Sequence, residues 1–95
     1  MDRNEETLKT LGAHLKSWRI LLGITQEIAA QRAYISVPAL RRAERGDPGV
    51  SMATFISLAN VLDMDRFLVE AIDPLNYDLG QARAHMLNRK RAPRS

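Results

Sequence analysis

Between Ile24 and Gly46 the chain reads ITQEIAAQRAYISVPALRRAERG, a segment that leaves little choice of architecture. Thr25 has the chemistry of a helix N-cap, and Ile24 before it is placed to pack on Ala29 as a hydrophobic staple. The helix that follows ends near Arg32. Ala29, Ala30 and Ala33 are small enough to let a second helix approach closely. Tyr34 and Ile35 fall in a tight turn. Ser36 is a second N-cap, and Pro38 lies in the first turn of the next helix, where a missing N–H is tolerated. Pro38 also disfavours helical geometry at Val37, so the start can slip by a residue. Leu40 and Ala43 face inward, while Ala39, Arg41, Arg42 and Arg45 take the other sides. Gly46 stops the helix, and Asp47-Pro48-Gly49 is a turn by composition.

The flanks read as further helices. From about Glu5 to Leu22, Leu8, Leu11, Leu15, Trp18 and Leu22 alternate steps of three and four and make one apolar stripe. Asn4 is placed to cap that helix, Glu5 and Glu6 suit the positive end of its dipole, and Gly23 is the expected left-handed stop. Ser51 caps a helix from Met52 to about Leu62, with Phe55, Leu58, Ala59 and Leu62 on its buried face. Another follows from Asp65 to Ile72 and ends at Asp73-Pro74. Asp78 is placed to cap a short helix over 78–88 carrying Leu79, Ala82, Met86 and Leu87. Arg89 to Ser95 reads as a mobile end. No strand and no repeat is indicated. The pattern predicts an all-α chain of five or six helices, with one domain over 5–72 and an extension over 73–95.

The totals bound the function. Ninety-five residues suit one small domain whose limited core would be helped by dimerisation. The absence of cysteine excludes disulfides and thiolate–metal sites. His14 and His85 are far apart and lack ligand company, so no metal or other cofactor is expected. No Ser-His-Asp grouping, phosphate-cradling loop or acid pair is present, so no catalytic set can be named and an enzyme is not expected. No apolar run is long enough to span a bilayer, and the acidic start from Asp2 to Glu6 argues against a signal peptide. A soluble cytoplasmic protein without membrane contact is the expectation. The net charge of +3 is unevenly placed: Asp63 to Asp78 holds five acids and one arginine, whereas Leu79 to Ser95 holds five bases and no acid.

The helix pair is a scaffold for laying its second helix into the major groove of DNA. Thr25-Gln26-Glu27, Ala30, Ser36, Leu40 and Glu44-Arg45-Gly46 resemble the helix-turn-helix of the Cro and phage-repressor (XRE) family over about Leu8 to Ile72. The run Ser36 to Arg42, with Glu44, Gly46 to Ser51, is similar to the HipB-like antitoxins within it. The sequence departs from the family at Tyr34, where a turn glycine is common, and at Ile28-Ala29, which replaces a Glu-Leu pair. The resemblance implies a lambda-repressor-like five-helix domain. It also implies a homodimer on double-stranded operator DNA, paired with a HipA-like serine/threonine kinase toxin.

Gln26 stands at a helix N-terminus, where backbone N–H groups and an amide can hold a phosphate; the matching family glutamine touches the DNA backbone. Base contacts in the family come from positions matching Val37, Pro38, Arg41 and Arg42, with Ala39 near the backbone and Ser36 and Arg45 completing the set. Val37 and Pro38 can meet a thymine methyl, and an arginine can fork onto guanine O6 and N7. Which of Arg41 and Arg42 reads a base is open at this point. The resemblance further implies an ion pair between Arg19 and Glu44. Phe67, Leu68 and Ile72 are the expected dimer surface. The basic end, Arg83, Arg89, Lys90, Arg91 and Arg94, suits non-specific DNA affinity, docking on a toxin, or plain solubility. A stand-alone phage-type regulator and a protein-interaction module built on the same helix pair remain as alternatives.

Overall fold

The computed structural model describes residues 2–91. Among them every regular element is helical: α1 (Arg3–Leu21), α2 (Gln26–Ala33), α3 (Val37–Arg45), α4 (Met52–Val61), α5 (Asp65–Ile72), a 3-10 turn (Pro74–Asn76), α6 (Asp78–Ala82) and α7 (His85–Arg91). No helix among the described residues is long and apolar enough to cross a membrane. The chain divides into two compact units, one through Asp65 and one from Arg66 onward. The division falls after the first residue of α5, a helix that buries no side chain.

Caps start the helices of the first unit. The Thr25 hydroxyl accepts from the Ile28 N–H at 3.1 Å, Ser36 from Ala39 at 3.2 Å and Ser51 from Thr54 at 3.0 Å. Each of these satisfies a backbone donor that the first helical turn leaves without a partner. α1 departs from expectation. It begins at Arg3, and Asp2, rather than Asn4, accepts from the Glu5 N–H at 2.8 Å. Asp2-x-x-Glu5 has the form of a capping box, and a cap one turn-half earlier adds helix at no cost in burial.

Leu15, Ala29, Ala30, Ala33, Leu40, Ala43, Leu58 and Leu62 form the core, with Ile24, Ile35, Val37, Val50, Phe55, Val61 and Met64 packed around them. Leu40 has no exposed surface at all, so α3 is anchored at its midpoint. The apolar stripe expected on α1 is buried only at Leu15. Leu11, Trp18 and Leu22 stay exposed. The closest approach is made instead by Gly12, which the apolar pattern does not mark. A methyl there would stand 2.6 Å from the Ala43 carbonyl oxygen and 2.7 Å from the Glu44 oxygen and Gly46 nitrogen. Gly46 mirrors this: its own methyl would stand 2.5 Å from the Leu8 carbonyl oxygen. Two hydrogens thus set the contact between α1 and the end of α3.

In the second unit, the single helix expected over 78–88 is two helices, α6 and α7, parted at Arg83, whose backbone (φ −111°, ψ 13°) leaves the helical region. The residue flanking α6 is Tyr77, and Asp78 is the first helical residue. Side chains tie the unit locally: Asn76 donates to the Glu70 carbonyl at 2.7 Å, Tyr77 to that of Ala71, and Gln81 to that of Leu75 at 2.8 Å. Gly80 packs its backbone on Pro74. α7 carries regular helix to Arg91, three residues past the bound expected at 88. Residues 92–95 of the basic tail lie outside the described residues.

Candidate nucleic-acid interface

α2 and α3 are joined by three residues, Tyr34 to Ser36, the first of them left-handed. Tyr34 has φ 58° and ψ 40°, and its N–H bonds back to the carbonyls of Ala30 and Gln31. Its ring is 96% exposed and gains no packing. A side chain in this conformation costs about 1–2 kcal/mol, whereas glycine loses somewhat more backbone freedom on folding. Tyr34→Gly is therefore expected to stabilise the fold by about 0.5–1 kcal/mol in urea unfolding. A less stable variant would show that the ring makes a contact worth more than the strain.

α3 is strongly two-sided. Leu40 and Ala43 are buried, whereas Pro38, Arg41, Arg42 and Arg45 are exposed. Val37 and Ala39 are half-buried, and Val37 shares its surface with the core. The Ser36 hydroxyl is occupied as the cap of α3. The outward edge thus carries three guanidinium groups behind a proline.

A polar chain runs from the interior to this edge. Arg19 Nε donates to Glu44 Oε2 at 2.6 Å, and a terminal nitrogen of Arg19 donates to Oε1 at 3.3 Å. Their side chains are 11% and 6% exposed. Arg19 also donates to the Ile24 carbonyl at 3.1 Å, closing the turn between α1 and α2. Gln26 Nε2 donates to Glu44 Oε1 at 3.2 Å, and Gln26 Oε1 accepts from Arg41 Nε at 3.1 Å. Sequence reasoning placed Gln26 at a phosphate; the structure engages both ends of its amide, with Glu44 and Arg41, while the Ile28 N–H in the first turn of α2 is taken by the Thr25 cap.

Beside this chain lies a cleft of about 240 Å³ lined by Lys16, Gln26, Arg41, Glu44 and Arg45. With Glu44 paired to Arg19, its remaining charge is positive. Lys16 was missed by sequence reasoning. Its spacing of three from Arg19 puts both on neighbouring positions of α1, which is the signal that would have found it. The proposed dimer residues lie elsewhere, in the second unit: Phe67 and Ile72 are exposed and Leu68 is half-buried. The Arg66 guanidinium stands 4.9 Å from the centre of the Phe67 ring, within cation–π range.

A family model described as a helix-turn-helix domain matches residues 10–72, well over half of the chain. Comparison with curated proteins and with solved structures gave no significant match. The matched span runs from α1 through α5 and contains both helices of the pair, the turn at Tyr34 and the outward edge of α3. The chain therefore belongs to the helix-turn-helix domain family, whose fold is that of DNA-binding regulators.

Proposed function

We propose that this protein is a sequence-specific DNA-binding transcriptional repressor of the Cro and phage-repressor type, acting in the cytoplasm as a homodimer. It is a binding protein rather than a catalyst. The observation that carries the reading is α3: pinned from inside by Leu40 and Ala43, it presents Pro38, Arg41, Arg42 and Arg45 outward as one edge. Such an edge supplies both kinds of contact that operator binding needs. Lys16, Arg45 and the first turn of α2 suit phosphates, which set affinity and register, while Pro38 and the arginines suit base edges, which set preference.

Dimerisation is supported by the second unit. None of residues 66–88 is buried, although Phe67, Val69, Ile72, Leu79 and Leu87 are apolar. A unit this small needs a partner to bury its apolar surface. Two copies would read half-sites roughly 34–36 Å apart. The similarity of Ser36 to Arg42 and of Glu44, Gly46 to Ser51 to the HipB-like antitoxins supports the finer reading. On it the protein is the antitoxin of a HipA-like kinase and represses its own operon.

The test is a gel shift on the DNA upstream of its own gene, across a salt series. The wild type is expected to bind with steep salt dependence. Arg41→Ala with Arg42→Ala is expected to lose roughly a hundredfold in affinity or more, with the thermal midpoint kept, because neither side chain carries core packing. Failure of the wild type to shift at low salt sinks the DNA reading. Undiminished DNA binding by the double variant would place the contact on another surface, whereas a wild type that binds a protein partner but no DNA, with that binding untouched in the double variant, would favour a protein-interaction module. The kinase is tested apart, by co-purification with the product of the adjacent reading frame; no complex there leaves a stand-alone regulator.

A further inference from the structure

We infer that Gln26 is a positioning residue that assigns base reading to Arg41 rather than to Arg42; this rests on the DNA-binding reading above. The hydrogen bonds along the polar chain have a forced direction. A carboxylate only accepts and a guanidinium only donates. The Gln26 amide therefore has one orientation, with Nε2 toward Glu44 and Oε1 toward Arg41. Its support is firm, because Glu44 is clamped at two points by a nearly buried Arg19.

Arg41 is thus held at Nε, and its two terminal nitrogens have no protein partner among the described residues. Those two nitrogens are the pair that matches guanine O6 and N7. Arg42 is exposed and has no hydrogen-bond partner among the described residues. Its rotamers are free until it binds. A fork fixed before binding cannot adjust to a wrong base, and so it discriminates. A free guanidinium adapts to whichever phosphate or base comes within reach. Gln26 is also not needed as a phosphate ligand, since Lys16 and Arg45 line the same cleft.

The experiment selects binding sites from randomised duplexes with the full chain, then measures affinity for the selected site and its single-base variants over a salt series. Gln26→Met keeps the bulk of the side chain and removes both hydrogen bonds. It is expected to lose about tenfold of preference for guanine at one position in each half-site, with the salt slope unchanged. Arg41→Lys should lose the same preference, and the double variant no more than either alone. Arg42→Lys should weaken all sequences alike. A uniform loss with a shallower salt slope in Gln26→Met would make Gln26 a phosphate ligand and overturn the inference, as would a guanine preference that follows Arg42→Lys. Should Gln26→Met fail to fold, the Arg41→Lys and Arg42→Lys pair still decides which arginine reads. A wild type that selects no sequence overturns the DNA reading itself, whereas a Gln26→Met protein with full preference overturns only this role.

Discussion

Glu44→Ala is expected to destabilise the fold by about 3–5 kcal/mol, because it leaves Arg19 charged, 11% exposed and without its carboxylate. Small domains have about 5–15 kcal/mol in total, so the variant should be near its unfolding midpoint at body temperature. The same change takes away the acceptor of the Gln26 amide. The intact pair contributes far less than its loss costs, since burying two charges consumes most of their attraction. Arg19→Met combined with Glu44→Leu should therefore recover most of the stability lost by Glu44→Ala alone. Urea unfolding followed by circular dichroism measures both. Equal losses in the single and double variants would mean that packing, not an orphaned charge, governs the site.

Gly12→Ala sets two effects against each other. Alanine in a helix interior is favoured over glycine by about 1 kcal/mol. Here the new methyl meets three backbone atoms of the α3 C-terminus at 2.6–2.7 Å. None of them can rotate aside, so α1 and α3 must part, and overpacking of this kind costs about 3 kcal/mol or more. The clash wins. The expected result is a net loss of about 2 kcal/mol or more in thermal or urea unfolding. On the DNA-binding reading, operator affinity falls too, because the displaced element is the one that carries the arginines. A Gly12→Ala protein as stable as wild type would mean that α1 tilts freely on α3.

Much of this was legible in the sequence because it is local. Thr25, Ser36 and Ser51 cap by short-range chemistry, and each stands where the residue types put it. The inward placement of Leu40 and Ala43 follows from helical period alone. Asn4 was the expected cap of α1, and Asp2, an equally good cap by residue type, takes that place by accepting from the Glu5 N–H. The joint at Gly12 was not legible. Hydrophobic patterns report which face is oily, not where two backbones touch, and glycine contributes nothing to such a pattern. The break at Arg83 was equally hidden, because the packing of Gly80 on Pro74 is a tertiary event. In the site, residue types suggested Gln26 and the arginines, but the order in which they bond required three helices in place.

Where Gly12 and Gly46 bring α1 against α3, main chain meets main chain. No rotamer sits in that joint, so the spacing of α1 from the end of α3 is not negotiated by side-chain volume there. The interior around Leu58 and Leu62 can then drift through swaps that conserve volume, as protein cores generally tolerate. Such drift leaves that main-chain contact untouched. The lineage of such a chain is free to rebuild its hydrocarbon filling while two hydrogen atoms keep the working surface aimed.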